Sequence, residues 1–231
     1  MPMYPDHLPL GANLKDNHAQ SLEDIAGPGE FFTGSERLEI VRIARAALDC
    51  EFCAERKASL SPNSVQGLHN VDSDFPDVVV DMIHRIRTDP GRLTRSWFDQ
   101  VTAEITPAQY VEIVSVVASS VIIDTLHNAL GLGVPHLPQP RPGRPQRRIN
   151  EAVEDAGAWV PILQAPDQMA DTGLPVVPNI ARSLGLVESA LGLFFQTFRP
   201  HYALKDIPLS ISQAQAEFVA ARVSALNECF Y

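Results

Sequence analysis

Thr33-Gly34-Ser35-Glu36-Arg37-Leu38-Glu39-Ile40-Val41-Arg42-Ile43-Ala44-Arg45-Ala46-Ala47-Leu48-Asp49-Cys50-Glu51-Phe52-Cys53 decides the fold class. Its first four residues have the pattern of a capping box, in which the Thr33 hydroxyl and the Glu36 carboxylate satisfy free amides reciprocally. Leu38, Val41, Ala44 and Leu48 follow at helical spacing, which predicts a helix running toward Cys50. The pattern recurs near the end of the chain as Glu217-Phe218-Val219-Ala220-Ala221-Arg222-Val223-Ser224-Ala225-Leu226-Asn227-Glu228-Cys229, again just after a capping box, Ser212-Gln213-Ala214-Gln215. Glu39 aligns with Glu217, Val41 with Val219, Ala47 with Ala225, Leu48 with Leu226 and Cys50 with Cys229, the first copy being one residue shorter. An acid-to-cysteine helix used twice is the mark of an internal repeat.

The intervening signals are also helical. Asp74 and Pro76 start a helix with the apolar stripe Val79, Met82, Ile83 and Ile86, and Asp89-Pro90-Gly91 breaks it. Thr94 caps another. Thr106-Pro107-Ala108-Gln109 repeats the capping box and introduces a long segment to about Leu130, stopped by Gly131 and Gly133. Its Val and Ile content favours strand by propensity, but its length and its caps favour a buried helix. The fold class expected is therefore all-α: an irregular segment over 1–32, a helical unit over 33–133, a proline-rich linker over 134–178 and a second, incomplete unit over 179–231. Pro135, Pro138, Pro140, Pro142 and Pro145 make the linker extended, and Arg141, Arg144, Arg147 and Arg148 within it read as solvated.

Composition narrows the function. The 231 residues carry 18 Lys and Arg against 28 Asp and Glu, a net charge of −10 that opposes nucleic-acid binding. The apolar run Ile113–Ile123 falls short of the roughly 20 residues a bilayer-spanning helix needs, and no secretory signal is visible at Met1-Pro2-Met3-Tyr4-Pro5-Asp6. A cytoplasmic chain with no membrane partner is the expectation. Three cysteines do not make a disulfide scaffold, so a close pair points to redox or metal chemistry. Cys50 and Cys53 are three apart, which on a helix puts both sulfurs on one face, near disulfide reach; at a helix N-terminus the dipole would favour thiolate. Zinc is the chemical competitor, with His69 and His84 as further ligands, although the spacing fits no standard zinc module. His84 and His127 otherwise read as packing residues on their helices.

The repeated acid-to-cysteine helix, with 77–132 downstream of its first copy, resembles the alkylhydroperoxidase D and carboxymuconolactone decarboxylase-like family, whose core pattern is Glu-x(about 12)-Cys-x-x-Cys-x-x-x-His on antiparallel helices. Glu217 through Cys229 to Tyr231 is the best match, and Thr88-Asp89-Pro90-Gly91-Arg92-Leu93 with Val111-Glu112-Ile113-Val114 looks like the downstream helices. The resemblance implies a bundle of two tandem units, the second cut short. It also implies a thiol-dependent hydroperoxide reductase or disulfide oxidoreductase without cofactor or metal, with a hydroperoxide substrate, a dithiol protein reductant and a homo-oligomeric state. By carry-over Cys53 attacks the hydroperoxide and Cys50 resolves the sulfenic acid. Glu39 would relay protons, although the shorter copy rotates it by about 100° on an ideal helix. The family histidine falls at Lys57, which offers charge but not ready proton transfer at neutral pH. Glu217 and Cys229 would belong to the second site. The chain stops just before the second cysteine of that motif, and a selenocysteine codon at that point is one expectation from the resemblance. The rival readings are a lactone decarboxylase, which would not need the cysteines, and a non-catalytic helical interaction protein.

Overall fold

The computed structural model describes residues 3–164, 178–201 and 210–226. They are mostly helical: α1 Ala12–Ile25, α2 Gly34–Ala46, α3 Glu51–Ala58, α4 Asp77–Thr88, α5 Arg95–Thr102, α6 Pro107–Ala129, α7 Asn179–Leu184, α8 Glu188–Phe198 and α9 Gln213–Leu226. Two short antiparallel strands, β1 Val153–Glu154 and β2 Ile162–Leu163, pair Val153 with Leu163.

The caps form as their chemistry dictates. Thr33 and Glu36 close a capping box on α2, Thr106 and Gln109 another on α6, and the Thr94 hydroxyl accepts from the Trp97 amide at the start of α5. Ser212 accepts from the Gln215 amide at α9. The β-branched run of α6 is helical because the centre of the core surrounds it: Val111, Ile113, Val116, Val117 and Ile123 are all buried. Each contributes roughly 1.5–3 kcal/mol of transfer free energy, more than its propensity deficit. By length and composition α6 is long enough to cross a membrane, and 61% of that window is buried among the neighbouring helices.

Three expectations change. Residues 1–32 are not irregular, because α1 occupies Ala12–Ile25 and turns His18, Ser21, Leu22 and Ile25 inward. Two of those four buried positions are polar, so the helical period was hidden from a hydrophobicity reading. The 134–178 segment keeps Arg141, Arg144, Arg147 and Arg148 exposed, as expected, but over its described part it is tied to the rest of the chain rather than a free spacer. The Arg141 amide donates to the Ala26 carbonyl at 2.7 Å, the Arg147 amide donates to the Glu30 carbonyl at 2.6 Å, and Arg148 bonds Glu30 at 3.0 Å. Val160 and Ile162 enter the core. The segment does not divide the core either, since Leu184, Val187, Leu193 and Phe194 of the α7–α8 region join the same apolar cluster as α2, α4 and α6.

The two copies of the repeat differ in environment. Ile40 and Val41 on α2 are fully buried, whereas the aligned Phe218 and Val219 on α9 are 73% and 55% exposed. Cys229 lies outside the described residues. α2 also ends sooner than its spacing suggests: Ala47–Asp49 tighten into a 3-10 turn that leaves Leu48 exposed. That turn sets the site.

Candidate thiol and metal-binding site

Because the chain changes direction after the 3-10 turn, Cys50 is not the last residue of α2 but the N-cap of α3, with extended backbone (φ −80°, ψ 114°). Cys53 sits in the first turn of α3. Both are free thiols, 8% and 5% exposed. The loop after α3 folds back over them, and Gly67 lies so close to Phe52 that a β-carbon there would fall 2.5 Å from the ring. This approach brings His69 into the site. Its Nδ1 lies 3.5 Å from Cys50 Sγ and 3.7 Å from Cys53 Sγ. From α4, His84 places its Nδ1 3.2 Å from Cys53 Sγ. The two imidazoles are 3.9 Å apart between centroids, and Phe52 packs on His69 at 5.1 Å.

Asp81, one helical turn before His84, anchors the cluster. It accepts from His69 Nε2 at 2.9 Å and from Arg85 Nε at 2.9 Å, and it pairs with Arg56 of α3. Arg56 lies 3.8 Å over the Phe52 ring. These partners order the charges. Burial alone would raise Asp81, but His69, Arg56 and Arg85 outweigh it and hold the carboxyl well below its usual range. Burial would lower His69, yet Asp81 and the two thiols push it up to about 10. Burial would raise the Cys50 thiol, and the hydrogen bond from His69 with the contacts to Cys53 brings it below its ordinary value instead. His84 is lowered to about 4, by burial first and then by the charge of His69. Its Nε2 is buried without a hydrogen-bond partner among the described residues.

The family-based residues fall elsewhere. Glu39 is hydrogen-bonded by Arg42, at 2.6 Å from Nε, on the surface of α2. Lys57 is exposed at the end of α3, where its carbonyl accepts from Arg92. Glu39 is set apart because counting from it to the cysteines assumes one helix, and the chain has two with a turn between them; Lys57 shares α3 with Cys53 but is exposed at its last turn, whereas Cys53 is buried. His69, from the loop after α3, is the side chain beside both sulfurs. Glu217 accepts from Gln213 on the exposed α9. Asp81 and Arg56 carried a weak sequence signal, since Asp81 and Arg85 have ion-pair spacing on a helix, but nothing local ties them to the cysteines.

A cavity of about 400 Å³ adjoins the cluster, lined by Phe52, Arg56, His69, Val71, Phe75 and Asp81 among others. The ligand atoms of Cys50, Cys53, His69 and His84 lie within 4.8 Å of one another, a donor set of the kind that holds a metal ion. His127 belongs to a different group. Its Nδ1 is 3.1 Å from the Gly133 carbonyl, and its ring lies 4.4 Å from that of Tyr4, which hydrogen-bonds His18. Searches of protein-family models, curated proteins and solved structures find no match to the chain.

Proposed function

We propose that Cys50 and Cys53 form a dithiol that reduces small hydroperoxides and is converted to a disulfide in the process. The observation that carries this reading is the relay Cys50–His69–Asp81, with 3.5 Å from sulfur to Nδ1 and 2.9 Å from Nε2 to the carboxylate. A carboxylate-backed imidazolium beside a thiol favours the thiolate, which is the nucleophile. The thiolate attacks the outer oxygen of the hydroperoxide, the O–O bond breaks, and the departing alkoxide takes a proton from His69. The sulfenic acid is then attacked by the second sulfur, which expels water and closes the disulfide. Two electrons pass from the dithiol to the peroxide. A dithiol protein restores the reduced pair by exchange.

The resemblance assigns the attack to Cys53, but the lowered pKa at Cys50 favours Cys50 as the attacking sulfur. The cytoplasm, a hydroperoxide substrate and a homo-oligomer remain part of this reading through the family resemblance. A lactone decarboxylase is disfavoured because the proton relay is centred on sulfur rather than on an open acid–base pocket.

Trapping sulfenic acid with a dimedone probe tests the reading. After one equivalent of cumene hydroperoxide, Cys53→Ser is expected to be labelled at Cys50, and wild type to lose two hydrogens at the Cys50 and Cys53 peptide. Labelling confined to Cys53 in Cys50→Ser would restore the family order. No oxidation of either cysteine at hydroperoxide concentrations that oxidise free glutathione would end the reading.

A further inference from the structure

The side chains at the head of α3 converge more tightly than a redox pair with one proton relay requires. A relay needs a single imidazole, yet two histidines from separate elements, a loop and α4, both aim Nδ1 at the sulfurs. We propose that the reduced chain binds one zinc-class divalent cation through Cys50 Sγ, Cys53 Sγ, His69 Nδ1 and His84 Nδ1. This goes beyond the redox reading of the same cysteines and does not depend on it.

Three features carry the assignment. First, zinc–sulfur bonds of about 2.3 Å and zinc–nitrogen bonds of about 2.05 Å at a tetrahedral angle imply sulfur-to-nitrogen edges of about 3.6 Å. The separations of 3.5, 3.7 and 3.2 Å straddle that value, and all four ligand atoms lie within 4.8 Å of one another, so the set closes on an ion with shifts of up to about an ångström on its widest edge. Second, His69 donates Nε2–H to Asp81 at 2.9 Å, which turns the Nδ1 lone pair toward the sulfurs once that nitrogen is deprotonated. A carboxylate behind a ligating histidine is the arrangement that orients metal-bound imidazoles. Third, all four positions come from the chain and both sulfurs are nearly buried, so the set is closed, as in structural rather than hydrolytic zinc sites. Two sulfurs and two nitrogens in a tetrahedron select zinc over magnesium or calcium, which want oxygen.

Binding displaces the protons held between the two sulfurs and His69 Nδ1, leaving two thiolates, two neutral imidazoles and the cation. The ion ties three elements together: the N-cap and first turn of α3, the loop between α3 and α4, and α4 itself. The metal-bound and disulfide forms exclude each other, because each sulfur electron pair is used once. Zinc would therefore hold the dithiol in reserve until it is withdrawn or displaced.

The test uses the untagged full chain, purified reduced under argon. Zinc titration against a chromophoric chelator is expected to give one ion per chain, and Co2+ in its place should give the visible bands of a tetrahedral ion with thiolate charge transfer in the near ultraviolet. Cys50→Ser, Cys53→Ser, His69→Asn and His84→Asn should each weaken zinc by more than about 100-fold, and Asp81→Asn by about 10-fold to 100-fold with stoichiometry kept. Should a ligand variant fail to fold, protection supplies the second readout: zinc should shield Cys50 and Cys53 of the wild type from iodoacetamide at least tenfold. A folded, reduced chain that takes up no zinc at micromolar concentration, or an octahedral cobalt spectrum without charge transfer, overturns the proposal. Hydroperoxide oxidation of the same metal-free sample separates the two readings. A disulfide without zinc binding removes only the metal site, and zinc binding without a disulfide removes only the redox function.

Discussion

Among the described residues buried histidines gather in two clusters, and one member of each, His69 and His18, is shifted in opposite directions. At the head of α3, His69 and His84 face Cys50, Cys53 and Asp81, and His69 is pushed up to about 10. At the far end of α6, His18 of α1 meets the Tyr4 hydroxyl at 2.5 Å and His201 at 2.7 Å, and it is lowered to about 4 by burial and by the neighbouring histidines. His18 is completely buried and His69 nearly so on its side chain. Burial is thus common to both and cannot explain the difference. The third group does. Asp81 supplies a charge to His69 at hydrogen-bond distance, whereas Asp124, the carboxylate near the second cluster, is taken by Arg45 in a bidentate pair at 2.7 and 2.9 Å. Tyr4 cannot substitute for a carboxylate, since burial and then the charge of Asp124 push its hydroxyl up and keep it neutral. A buried histidine is held as a cation where a carboxylate hydrogen-bonds it directly, even one shared with two arginines as Asp81 is, and stays neutral where its hydrogen-bond partners are a phenol and another imidazole.

Removing the anion from the first cluster should have the largest effect. Asp81→Asn leaves Arg56, Arg85 and His69 without their shared carboxylate, so about 2–3 kcal/mol of stability is expected to be lost in urea unfolding. In the same variant the alkylation rate of Cys50 at pH 7 should fall at least tenfold as its thiol returns toward an ordinary value. An unchanged rate would mean that His69 does not need Asp81 to stay charged.

Acid should act on the second cluster. His18 has a folded pKa below its unfolded value, so between pH 6.5 and 4 the unfolded chain binds a proton that the folded chain refuses. Stability is therefore complete above the unfolded pKa and is lost as pH falls toward 4, by roughly 3 kcal/mol from this residue. The difference in urea midpoint between wild type and His18→Gln should shrink across that window, and parallel pH profiles for the two proteins would contradict the reading. A smaller effect is expected for Tyr4→Phe, about 1 kcal/mol for a buried hydrogen bond whose partner, His18, keeps its contact with His201. Smallest of all, Lys57→Gln and Glu39→Gln should leave the Cys50 alkylation rate within about twofold, since neither side chain reaches the thiols and exposed charges contribute little. A tenfold loss in either would restore the family-based assignment.

The helices were legible because their signals are local. Thr33, Thr94, Thr106 and Ser212 cap within three residues of themselves, and a cap needs no knowledge of the rest of the chain. α1 was not legible, since the surface it meets accepts His18 and Ser21, so its inward face does not look apolar. The proline-rich stretch reads as extended with solvated arginines, and Arg141, Arg144, Arg147 and Arg148 are exposed, but nothing in its local pattern shows that its backbone is tied down. Backbone shape follows from the prolines, but what the strap lies against depends on the Ala26 and Glu30 carbonyls more than a hundred residues earlier in the chain.

The sequence by itself determined that this chain is mostly helical, that Cys50 and Cys53 can share one face, and that His69 and His84 are the histidines to consider with them. Only the tertiary structure decided that Cys50 caps α3 rather than ending α2, that Glu39 and Lys57 stand apart, and that Asp81 fixes the charge of His69. The physical reason is range. Capping and helical periodicity act over one or two turns, whereas a site's electrostatics is set by groups brought within about 4 Å by packing, whatever their separation along the chain.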